Sequence, residues 1–251
     1  MRMFDPAYWS RASRDPVVLA GLAVDLAPIF AVIAWGWGAA PLVMLYWMEN
    51  LIIGVMTVPR MLFISIAKYG PVGLFGGLFM SAFFAFHYGM FCFVHGGFIT
   101  TFLASSHPEL VGPRFVPFDF GSMIGASLSS GRNIVYVLAL IAFFQVFAFL
   151  YGFLLRGEWK RSGVDQEMMA PYGRIIILHI GIFAGAFALI AVGDPMIGVL
   201  ALIVARAVWG VHVNLRDKNM AASKQDVAPE GVYAATLQKA LAEHEKANTK
   251  A

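Results

Sequence analysis

The sequence predicts an all-α protein, a polytopic transmembrane helical bundle of about six spans with both termini in the cytoplasm. Three observations predict it. The 251 residues are 59% hydrophobic and 13% charged, with a mean hydropathy of +0.72, whereas a soluble domain carries about 25% charged residues. Six apolar runs are long enough to cross about 30 Å of bilayer hydrocarbon, which takes roughly 20 helical residues. The basic residues collect in alternate connections, the bias that orients membrane proteins.

Residues 1–15 form a polar segment with Arg2, Arg11 and Arg14 beside Phe4, Tyr8 and Trp9, read as interfacial. The apolar run that follows is of full spanning length and longer than the core of a signal peptide. The transmembrane domain covers 16–216, with spans at roughly 16–37, 41–64, 73–104, 133–155, 173–193 and 195–214. Trp35, Trp37, Gly38 and Pro41 mark a tight turn between the first two spans, and Gly193-Asp194-Pro195 marks another between the last two. The third span is long enough to tilt. An outer loop at 105–132 contains Pro108, Pro113 and Pro117, then an amphipathic stretch from Phe118 to Leu128 that is suited to lie on the membrane surface as a lid. The polar tail at 217–251 includes a short amphipathic helix at Gly231 to Lys246.

Arg60 and Lys68, Arg156, Lys160 and Arg161, and then Arg216 and Lys218 all fall on the side of the N-terminus if there are six spans. The opposite side holds two tight turns and a loop with only Arg114 and Arg132. The N-terminus, the 65–72 and 156–172 loops and the tail are therefore expected in the cytoplasm.

Several function classes fall away. A single cysteine, Cys92, leaves no intramolecular disulfide and no CxxC site. A net charge of +3 is no nucleic-acid signature. No phosphate-binding glycine motif and no internal repeat of the transporter kind appear. The sequence carries no complete catalytic signature.

What remains is a set of ionisable and polar residues inside the spans: Asp25, Glu49, His87, His95, His179 and Arg206, with Asn50, Gln145 and His212. Ionisable groups cost about 2.5–3.5 kcal/mol each at the bilayer centre on insertion scales, so they face the bundle interior or a cavity. Counting from the connection between the second and third spans puts Glu49 and His87 at one depth. His95 then stands about 12 Å nearer the outer face. Asp25, His179 and Arg206 form a lower polar layer.

Glu and His at one depth are ligands that zinc or iron accepts. Glu49, His87 and His95, with His179 as a further ligand, are the candidate metal set. Asp25, Asn50 and Arg206 are the candidate polar network, with Arg206 a possible ion-pair partner for Glu49. Haem is a less favoured cofactor, although the Phe-rich surroundings and the histidines suit a tetrapyrrole. Phe83-x-x-x-His87 also occurs in intramembrane CAAX-type proteases, but their paired glutamates, nearby arginine and His-x-x-x-Asn are missing here.

Tyr46-Trp47-Met48-Glu49-Asn50 and the run from His87-Tyr88-Gly89 through Phe91 to His95-Gly96 resemble a family of uncharacterised bacterial multi-pass membrane proteins. Arg156-Gly157-Glu158-Trp159 and Pro171-Tyr172-Gly173-Arg174 with His179 are similar to that family's pattern as well. Asn214-Leu215-Arg216 departs from the His-Leu-Arg common there. The resemblance implies the fold and the choice of residues, and no reaction.

Three functions fit. One is a metal-dependent intramembrane enzyme acting on a lipid-soluble substrate. The second is a non-enzymatic subunit or scaffold that holds a cofactor, and the third is a proton or ion path. Membrane lipids are the expected partners, and Gly181-x-x-x-Gly185 is a face for helix packing or a homo-oligomer.

Overall fold

Gly70 is where the longest helix turns back on itself. The computed structural model describes residues 16–176 and Ile203. The fifth and sixth spans, apart from their first few residues and Ile203, lie outside these, as do 1–15 and the tail. Helix α1 runs over Pro16–Trp35. Helix α2 runs over Ala39–Ser106, 68 residues, a length of about 100 Å if it were straight. It is not straight. Gly70 has φ 62° and ψ −150°, a conformation essentially confined to glycine. Pro71 follows, at a position where its missing N–H costs nothing. The two arms, 39–69 and 71–106, fold into an antiparallel hairpin.

The cross-links between the arms show the register. The Trp47 indole N–H donates to the Cys92 carbonyl at 2.7 Å, and the Tyr88 hydroxyl donates to the Asn50 carbonyl at 3.1 Å. Residues equidistant from Gly70 therefore meet. The 65–72 connection expected as a loop is instead helical on both sides of one glycine.

Two short helices follow: α3, Pro108–Val111, and α4, Phe120–Ser129. Helix α5, Ile134–Phe147, continues as π-helix through Ala148–Leu155. A 3₁₀ turn at Glu158–Lys160 leads to a last described helix, α6, at 164–176. Among the described residues there is no strand. Three helices among the described residues are long and apolar enough to cross a membrane: α1, α2 and the α5 run to Leu155.

The first arm of α2 is the centre of the assembly. Leu42, Met44, Leu45, Tyr46, Trp47, Glu49 and Asn50 are all buried, as expected of a helix enclosed on every side. On one side it packs against α1 and α5 through Val24, Ala31, Leu45, Tyr46, Val137 and Ile141, a cluster that also contains Ile203. On the other it meets the second arm and α6 through Met61, Phe84, Tyr88, Cys92 and Ile175. Helix α4 caps the end of the first arm farthest from Gly70. There Ser127 donates to the Met44 sulfur at 3.5 Å and Phe120 meets Trp47 edge-on at 6.4 Å. Asp119 caps α4 by accepting from the Ser122 N–H at 2.7 Å, and that bond holds its carboxyl below the usual carboxylate range.

Near Gly70 the polar contacts reach from the first arm to the segment before α6. Lys68 donates to the Ser162 carbonyl at 2.6 Å. Arg60 lies 3.6 Å from the Glu167 carboxylate and 5.4 Å from the centre of the Phe153 ring. The 156–172 stretch is thus no simple loop. From 164 it is helical, and it runs antiparallel to the first arm, carrying its polar residues along the hairpin.

Candidate functional site

The site lies where α6 reaches both arms of the hairpin. Glu49 belongs to the enclosed first arm, and its side chain is only 4% exposed. A lone carboxylate there would be costly, so a partner is required. Arg174 of α6, 125 residues away in sequence, supplies it with Nη1 at 2.8 Å from Oε1.

Two residues earlier on α6, Tyr172 reaches the second arm. Its hydroxyl lies 2.7 Å from Nδ1 of His87. Its ring meets Tyr88 edge-on at 5.6 Å and Phe84 at 6.4 Å. One short stretch, Tyr172-Gly173-Arg174, therefore holds His87 with its first residue and Glu49 with its last.

His87 is exposed on the second arm, in a column of rings spaced four residues apart. Its imidazole is stacked on Phe83 at 5.5 Å and 8° and meets Phe91 edge-on at 5.2 Å. Phe91 in turn stacks on His95 at 6.4 Å. His95 Nδ1 donates to the Phe91 carbonyl at 2.7 Å.

The contact with Tyr172 fits one tautomer of His87 better than the other. If Nδ1–H donated to Tyr172, both the phenol hydrogen and the Nε2 lone pair would lack partners among the described residues. If Tyr172 donates to Nδ1, a single group is left over, the Nε2–H. The second arrangement satisfies more groups, and it presents an N–H donor on the exposed face.

Gly96 and Gly97 shape the end of the column. A Cβ at Gly96 would collide with the Trp47 indole, and one at Gly97 with the Phe118 ring. Phe118 adopts φ 57°, unusual for a bulky residue, and is held by Phe93 and Phe98 at 6.1 and 5.7 Å.

Of the expected ligand set, the described residues Glu49, His87 and His95 are each held apart from the others. Glu49 is engaged by Arg174, His87 by Tyr172, and His95 by its own helix. Among the described residues no three His, Cys, Asp or Glu side chains are placed to hold one metal ion. His179, Arg206, Gly181 and Gly185 lie outside the described residues. Asp25 is half-buried on α1, and Asn50 is buried on the first arm, where its carbonyl accepts from Tyr88. The sequence suggests Arg206 as a partner for Glu49, and it offers Tyr172 and Arg174 only as part of the family pattern, not as partners of His87 and Glu49. The signal was present in Pro171-Tyr172-Gly173-Arg174, a basic residue just inside an apolar run.

A family described as "Family of unknown function (DUF6498)" matches residues 7–227. The comparisons with curated proteins and with solved structures return no match.

Proposed function

Taking as premise that the chain belongs to this family of unknown function, we propose that it is a membrane-embedded binding protein for a lipid-soluble molecule. The molecule is received at His87, beside the Glu49–Arg174 pair. The supporting observation is the exposed imidazole of His87, held at Nδ1 by the Tyr172 hydroxyl and set among exposed apolar rings; with Tyr172 as the donor, its Nε2–H is the group left for a ligand. An unmet donor in hydrocarbon costs about 1–3 kcal/mol, and intramembrane histidines as a rule do not face lipid chains. A ligand with a hydrogen-bond acceptor and an apolar body meets both requirements. A zinc or iron ion at Glu49 would first require Arg174 to release the carboxylate, so the reading uses no metal.

In this reading the chain makes six crossings with both termini in the cytoplasm of a bacterial inner membrane. Support comes from the basic side chains near Gly70. Arg60, Lys68, Lys160 and Arg161 gather at that end, and the opposite end has Arg114 and Arg132. The positive-inside bias then puts Gly70 in the cytoplasm.

The test is extraction. Protein purified in mild detergent is extracted into organic solvent, and the extract is compared by mass spectrometry with bulk membrane lipid. One species enriched with the wild-type chain and lost from His87→Leu supports the proposal. Identical extracts from both contradict it.

A further inference from the structure

Resting on that binding reading, we infer that the ligand's head is a flat conjugated ring bearing a carbonyl acceptor, the chemistry of a lipid quinone. Three features converge. The first is the polarity of the contact. With Tyr172 as the donor to Nδ1, the exposed imidazole has Nε2–H left to offer, and that group selects an acceptor oxygen.

The second is depth. His87 lies near the middle of the 71–106 arm. With the arm centred in the bilayer, it is about 15 Å from either edge of the hydrocarbon. The ester carbonyls and phosphates of glycerolipids stay at those edges. A molecule that brings a carbonyl to the mid-plane carries it on an otherwise apolar head.

The third is shape. Phe83 lies parallel to the imidazole at 8°, so a ring bonded in the plane of His87 is offered the same stacking surface. Phe91 stands across it at 67°. Phe86 and Met90, both exposed, flank the same turn of helix. Aromatic rings prefer such offset-stacked and edge-on neighbours. Phe91 and His95 continue the column about 12 Å toward the end capped by α4, a lane along which an isoprenoid tail can lie.

The probe is a 1,4-benzoquinone with a decyl tail, titrated into the full chain in mild detergent and read by tryptophan quenching. Decylbenzene, which lacks the carbonyls, is the control. The expected result is saturable quenching by the quinone only, about two- to tenfold weaker in Phe83→Leu and weaker still in His87→Leu, which also loses the hydrogen bond. Phe83→Leu leaves the hydrogen bonds intact and serves if His87→Leu fails to fold. Equal behaviour of quinone and decylbenzene, or unchanged affinity in Phe83→Leu, overturns the inference. If the quinone fails while a species still co-extracts in a His87-dependent manner, the ligand class is wrong and the site stands. If both fail, both readings fall.

Discussion

Glu49 and Arg174 stand 2.8 Å apart and fasten the centre of the bundle to α6. Breaking one partner of a buried pair leaves an uncompensated charge and costs about 3–5 kcal/mol, whereas replacing both with apolar residues is often neutral. Arg174 is 27% exposed, so the loss of Glu49, which leaves Arg174 as the unmatched charge, falls toward the low end of that range. Glu49→Leu and Arg174→Leu should each lower the unfolding midpoint in detergent, and the double variant should recover most of the loss. Additive losses in the double variant would show that the pair is not coupled.

The tautomer of His87 is open to direct measurement. Nitrogen-15 shifts of the imidazole should report Nε2 as the protonated nitrogen, with Nδ1 accepting. Tyr172→Phe removes the donor that fixes this state, so the two tautomers should then mix. A ring protonated on Nδ1 in the wild type would refute the assignment.

Trp47 and Gly96 form a close contact between the two arms. A methyl group at Gly96 would lie inside the indole's own space. Overpacking of this kind costs about 1–3 kcal/mol. Gly96→Ala should destabilise the chain by that order, and a smaller ring in Trp47→Phe should restore part of the loss. Thermal unfolding of the two single variants and the double variant checks both statements.

Acid should loosen the capping helix α4. The carboxyl of Asp119 is depressed because the Ser122 N–H binds its charged form. Its stabilising effect is therefore complete above the ordinary aspartate value, about 3.9, and is lost as pH falls through the lower folded value. Amide exchange at Ser122 should accelerate over that window, and Asp119→Asn should flatten the response.

Much of the fold was legible because bilayer thickness ties span length to composition. The expected spans at 16–37 and 133–155 correspond to α1 and the α5 run. The reading of 65–72 as a loop failed for a local reason. Lys68 and Tyr69 look like loop residues, yet a single glycine with positive φ turns the chain, and they stay helical.

Of the site, Glu49 and His87 were legible as ionisable residues in apolar runs. Their partners were not, because depth counting assumed that the fifth span begins near 173. In fact α6 begins at 164, and its polar first turns lie along the hairpin. Arg174 therefore arrives beside Glu49.

The central claim is that His87 offers its Nε2–H to a lipid-soluble molecule. An experimental density map of the chain in a lipid nanodisc tests it most directly. The account predicts non-protein density within hydrogen-bond distance of Nε2, about 2.7–3.2 Å, continuing as an elongated tail past Phe91. Nε2 bonded to another part of the protein, or surrounded by ordinary acyl chains with no polar atom in reach, would contradict it.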